Sequence, residues 1–244
     1  MKNNLTVAIV FAIAIIGASI VLGNAFKNRN NTESNISVTG LGVANFTSDL
    51  IVWEGSFSSE SMHLKQTYND LENQKNIIKE YLLSKGIKTD ELVFKAVHSR
   101  ENTKNKYSND GNYMGEEFLG YILTQSIQIE SNDVEKVEKV SREITELLNK
   151  GIRFYSDTPR YYYTKLADLK IEMISKATAD AKSRAEKIAQ NSGGQLGKLL
   201  SAKMGIFQIT GQNSKEDYSW GGTFNTSSKN KTASITMKLS YKVE

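Results

Sequence analysis

From residue 36 onward, hydrophobic positions first recur with a period of two and then switch to helical spacing. The stretch "NISVTGLGVANF" (35–46) carries β-branched side chains into Gly40-Leu41-Gly42, and "FTSDLIVWEGSFSS" (46–59) repeats the alternation, so two strands are predicted. A strand entering a Gly-x-Gly turn is also how a dinucleotide-binding loop begins. Such a loop needs a third small residue and a helix N-terminus to receive the pyrophosphate. Asn45 stands at the third position, and helical spacing starts only near residue 60. The two glycines are therefore read as a bulge or bend in a strand, where a missing Cβ lets another backbone come close.

Leu64, Tyr68, Leu71, Ile78 and Leu82 then approximate one helical stripe, and Gly86 supplies the stop. Two further strands, "ELVFKAVHSREN" (91–102) and "EFLGYILTQSIQIES" (117–131), are joined through the hairpin signal Asn109-Asp110-Gly111-Asn112. Strict alternation puts Leu92, Phe94, Ala96 and His98 on one face, with His98 capping a core stripe. A second helix follows, with Val134, Val137, Val140, Ile144, Leu147 and Leu148 on one face and Gly151 ending it. "IRFYSDTPRYYYT" (152–164) reads as a strand interrupted at Pro159, the chain's single proline. The longest helix covers about 165–192, with Leu166, Leu169, Met173, Ala177, Ala181, Ala185 and Ile188 at helical spacing. Its alanine-rich half can lie close against a sheet. "LGKLLSAKMGIFQITG" (196–211) and "KTASITMKLSYKV" (231–243) are the closing strands, joined by a polar loop too long for an ordinary hairpin. The fold class that follows is α+β: antiparallel sheets from repeated strand-strand-helix units, with a long C-terminal helix packed on the sheet.

Composition changes this picture at the N-terminus. Residues 5–22 are uncharged and mostly apolar, and at about 1.5 Å per residue they span roughly 27 Å, just enough for a bilayer core. The run is longer than a usual signal core, so residues 1–26 are expected to be an uncleaved membrane anchor, with a cleaved signal at Gly23-Asn24-Ala25 as the alternative. Residues 27–35 read as a polar tether, and 36–244 as a domain outside the cytoplasm. Net charge is +4, but 31 basic residues are interspersed with 27 acidic ones, so no nucleic-acid partner is expected. The absence of cysteine removes disulfides, thiol catalysis and thiolate metal sites.

The run "ADAKSRAEKIAQNSGGQLGKLLSAKMG" (179–205) resembles the signature of the SIMPL domain family: an Ala-rich helix, paired glycines and a Leu-Gly step into a strand. "ISVTGLG" (36–42), "LLSKGIKTDELVF" (82–94) and "GYILTQSIQI" (120–129) are also similar, in matching order. The resemblance implies an exported or membrane-attached envelope protein, with a link to stress defence in some members, and no established reaction. Pro159 and the aromatic loop near residue 220 match no motif of that family.

Candidate chemistry is sparse. His63 and His98 have no cysteine to join them and no ligand spacing, and no Gly-x-Ser-x-Gly elbow occurs. No catalytic, cofactor or metal residue is assigned. Glu172 with Lys176, Asp180 with Arg184 and Lys182 with Glu186 fall at i, i+4 and read as a solvated helix face. Two aromatic groups stand out as candidate interaction residues: Tyr161 and Tyr163 beside Pro159, and Tyr218, Trp220 and Phe224 in the loop 211–230. The expected function is that of a non-enzymatic, self-associating envelope protein acting through binding surfaces, held to the membrane by its N-terminal helix and free to meet an envelope protein partner. The alternatives are an envelope hydrolase or redox-protective enzyme, and a tethered scaffold for a protein or glycan.

Overall fold

The computed structural model describes the backbone of residues 2–29 and 35–244, and the side chains of 10–26 and 35–244. Helix α1 (Lys2–Arg29) leaves its large apolar side chains between Val10 and Phe26 exposed. Among the described residues no helix is long and apolar enough to cross a membrane. The apolar run 5–22 lies partly outside the described side chains. Of the expected tether, the first three residues continue α1, and residues 30–34 lie outside the described set.

The rest is α+β, and every strand pairing registered residue by residue is antiparallel. The chain divides into two compact units: one takes in Gly42–Ser175 and Ile206–Ile235, the other the chain up to Leu41 with Lys176–Gly205 and Thr236–Glu244. In the larger unit, β2 (Leu50–Ser61) lies along β5 (Tyr113–Ser131) from Ile51↔Ser131 to Ser61↔Tyr121. β3 (Leu92–Phe94) and β4 (His98–Tyr107) pair with β5, while β6 (Phe154–Ser156) and β7 (Arg160–Tyr162) pair with β2. Alternation along β2 buries Ile51, Trp53 and Phe57 against Leu71, Ile78 and Leu82 of α2 (Leu64–Ser84) and Val137 and Val140 of α3 (Val134–Glu143). Gly55 has to lack a side chain, because a Cβ there would lie 2.3 Å from the Phe154 ring.

Three expectations for this unit are corrected. Leu64 and Tyr68 are exposed, and Thr67 and Tyr81 join the α2 stripe instead. Thr67 tolerates burial because its hydroxyl donates at 3.0 Å to the carbonyl of His63, the residue before the helix. The second helix tightens into 3-10 geometry over Ile144–Lys150, where residues three apart eclipse. Ile144 and Leu147 therefore stay buried while Leu148 turns out to solvent. His98 caps no core stripe: it is exposed. Phe94 faces Ile127 and His98 faces Thr124, so four steps on one strand match three on the other. That extra residue flips the alternation, bringing Val97 rather than Ala96 against the core.

The smaller unit contains the second half of α4 (Leu166–Asn191), β8 (Leu196–Met204), the start of β1 (Asn35–Thr47) and the end of β10 (Asn230–Val243). β8 pairs with β10 from Met237↔Met204 to Val243↔Leu196. β1 also pairs with β10 and runs unbroken through Gly40 and Gly42. The close approach expected at these glycines is present at Gly40, where a Cβ would sit 2.2 Å from the Ala177 carbonyl oxygen and 2.4 Å from the Ala181 nitrogen. Ala177, Ala181, Ala185 and Ala189 are fully buried. These positions follow the i, i+4 ridge, which is inclined to the helix axis, so Ala189 takes the place expected of Ile188 and the latter is exposed. On the exposed side Lys182 meets Glu186 at 3.7 Å, whereas Asp180 meets Arg184 at 2.9 Å beside the buried line rather than away from it. Asp180 also accepts the Leu41 backbone N–H at 2.9 Å, and that bond, followed by Arg184, holds its carboxyl below the ordinary range.

Candidate interaction surface

The expected single strand 196–211 is two strands: β8 and, after a break at 205–207, β9 (Gln208–Gly211). β9 pairs with β10 from Lys231↔Gly211 to Ser234↔Gln208. The two ends of the intervening loop are thereby neighbours, joined again by the Gln212 N–H on the Asn230 carbonyl at 3.0 Å. A long segment with adjacent ends and its own internal packing is an Ω-type loop.

Three polar groups give this loop one shape. Glu216 accepts the Gly211 N–H at 2.8 Å, the Asn225 side-chain amide and the Ser214 hydroxyl, and the Gly211 bond above all holds its carboxyl below the usual range. Gln208 spans the loop, donating from Nε2 to the Ser219 carbonyl at 2.8 Å and accepting the Thr223 N–H at 2.6 Å. The Thr223 and Ile209 backbones meet at 2.7 Å, so that Phe224 forms a parallel bridge with Ile209. Lys231 is the third group, 2% exposed, its ammonium donating to the carbonyl oxygens of Tyr161 at 3.0 Å and Asn225 at 2.5 Å. Burial pushes it down to about 8.

The Gly222 N–H donates to the Ser219 carbonyl at 3.1 Å and closes a turn whose corners are Trp220 and Gly221. Gly222 takes φ +93°, a conformation that favours glycine. A corner residue has no neighbours on its outer side, and Trp220 is 96% exposed, with Tyr218 at 67% and Phe224 at 52%. Beside the turn lies a notch of about 170 Å³, lined by Leu166, Phe207, Ile209, Gly222 and Phe224. Lys170 borders it, its ammonium 5.5 Å from the centre of the Phe207 ring.

The two candidate aromatic groups have different surroundings. Tyr161 is 8% exposed and forms the floor of the loop: its N–H donates to the Thr226 carbonyl at 2.7 Å, and burial pushes its hydroxyl up. Tyr163 is half-buried with its ring 4.8 Å from that of Phe46. Glu216, Gln208 and Lys231 escaped the sequence reading. One signal was available for Lys231, which continues the inward period-two stripe of Ala233, Ile235, Met237 and Leu239 on β10.

A larger, polar recess of about 590 Å³ opens between Ser48, Asp49, Lys88, the start of α3 and Lys229. Lys229 bonds Glu138 at 2.7 Å and Glu135 at 2.9 Å, and Lys136 bonds Asp133 at 2.7 Å. These contacts hold Asp133 and Glu138 below, and Lys136 and Lys229 above, their ordinary values, so each charge is reinforced. Among the described residues no group of three His, Asp or Glu converges as for a metal.

A family model described as SIMPL, protein of unknown function (DUF541), matches residues 36–243. The chain belongs to the SIMPL family. The match begins at the second residue of β1 and ends at the last of β10, so it takes in both units and the aromatic loop. No curated protein matches the chain.

Proposed function

We propose that this SIMPL protein is a non-enzymatic component of the cell envelope that acts through a binding surface, the loop 212–229, and that it self-associates there. The observation that carries this reading is Trp220: a large aromatic side chain held at 96% exposure by a turn whose backbone is hydrogen-bonded to Gln208 and to itself. Exposing such a ring costs free energy in the isolated chain, and rigid exposed aromatics dominate binding energy where interfaces have been dissected. Attachment to the membrane through the apolar run 5–22 puts the domain on a surface, where local concentration favours association. The polar recess supports the same reading, because its paired charges are set against giving up or taking a proton near neutral pH. In-cell crosslinking with mass spectrometry tests it. Crosslinks joining peptides of the 212–229 loop to another copy of the chain are expected; loop peptides free of intermolecular crosslinks, while other segments are captured, would refute it.

A further inference from the structure

We infer that the aromatic loop forms a two-fold contact between copies in which Trp220 of each fills the notch beside Trp220 of the other. This deepens the self-association reading and rests on it. The notch of about 170 Å³ is well below the roughly 300–1,000 Å³ of a small-ligand pocket, and suits one large side chain. Trp220 leaves the adjacent notch unfilled, as its 96% exposure shows, although Gly221 and Gly222 of its own turn line that notch. A projection and a recess side by side on one surface are what a two-fold axis needs, since the patch must complement itself. Charge fits the same arrangement. Exposed Asp217 stands three residues from Trp220, and exposed Lys170 borders the notch with its ammonium over Phe207. Across the axis, each Asp217 carboxylate meets the other copy's Lys170, and the incoming indole shares that cation. The turn's hydrogen bonds to Gln208 fix the projection beforehand and reduce the ordering cost. The three aromatic side chains expose on the order of 400–500 Å², about half of what a standard interface buries per partner, so the dimer is weak and concentration-dependent.

Sedimentation of the full chain in detergent micelles tests this with two variants. Trp220→Ala removes the projection and raises the dimer dissociation constant roughly thirtyfold. Leu166→Trp fills the notch and weakens the homodimer similarly; an unchanged far-ultraviolet circular dichroism spectrum and unfolding midpoint confirm that its fold is intact. An equimolar mixture of the two variants associates more tightly than either alone, because one intact projection meets one open notch. A wild-type dimer that neither variant weakens would overturn the reciprocal contact while leaving self-association standing. A mixture no tighter than its components would also overturn it. A wild-type chain that stays monomeric at every concentration would overturn both, as would a photocrosslinker at position 220 that captures only a different protein in cells.

Discussion

The Lys231 ammonium lies 3.0 Å from the main-chain carbonyl oxygen of Tyr161, and both residues are buried. A cation in that position is solvated by backbone and by Asn225 instead of water, and the loop 212–229 closes over it. Its expected signature is a dependence of stability on pH. Burial lowers its value from 10.5 to about 8, so between pH 8 and 10.5 the unfolded chain binds the extra proton. Stability from this group therefore rises across that window, by about 2–3 kcal/mol, and its burial cost is fully present below pH 8. Urea unfolding at pH 7 to 10 should show the rise in wild type and its loss in Lys231→Met.

Glu216 has the opposite sign. Its folded carboxyl lies below 4.5, chiefly through the Gly211 N–H, so its contribution is present above 4.5 and disappears as pH falls through the lower folded value. Protection of residues 212–229 against hydrogen exchange, measured relative to the intrinsic rate at each pH, should fall on acidification in wild type. In Glu216→Gln the loop should exchange faster at neutral pH and respond less to acid.

Gly40 and Ala181 test the helix contact. Ala181→Leu overpacks a fully buried site and is expected to cost about 1–3 kcal/mol, and Gly40→Ala, whose Cβ would meet Ala177 and Ala181 backbone, at least as much. Lys182→Ala, on the exposed face, should cost less than about 0.5 kcal/mol. Denaturant titration of the three variants gives the order directly.

Leu147 and Leu148 separate a 3-10 turn from a continued α-helix. Leu147→Ala should destabilise by about 2–5 kcal/mol, since the side chain is fully buried. Leu148→Lys should change stability by less than about 0.5 kcal/mol. Equal costs would place both leucines on one buried face and refute the turn.

Local chemistry was enough for the main helices and strands and their order, though not for the breaks at 95–97 and 205–207 or the 3-10 turn at 144–150. Period-two stretches became strands, the alanines at 177, 181 and 185 became the buried line of α4, and the Asn-Asp-Gly-Asn run became the β4–β5 turn, with φ +84° at Gly111. These features follow from side-chain spacing and from what glycine and asparagine permit in a turn, which a neighbour in space does not change. That the loop aromatics are candidate interaction residues was legible in the same way, since large rings stand out in a polar segment; their exposure is set by the turn that carries them.

Tertiary pairing decided the rest. One extra residue between Phe94 and His98 turned the histidine out to solvent, a change of face that only the register against β5 reveals. Leu148 left the core when the last helical turn tightened against its surroundings. Lys231 and Tyr161 are seventy positions apart, and nothing local to either announces that one will donate to the other's carbonyl. Burial of a charge depends on which distant backbone oxygens surround it, and those are supplied only when β7, β10 and the loop between β9 and β10 come together. Spacing along a chain specifies which face a residue takes on its own element, whereas the partner it meets is chosen by the packing of elements far apart in sequence.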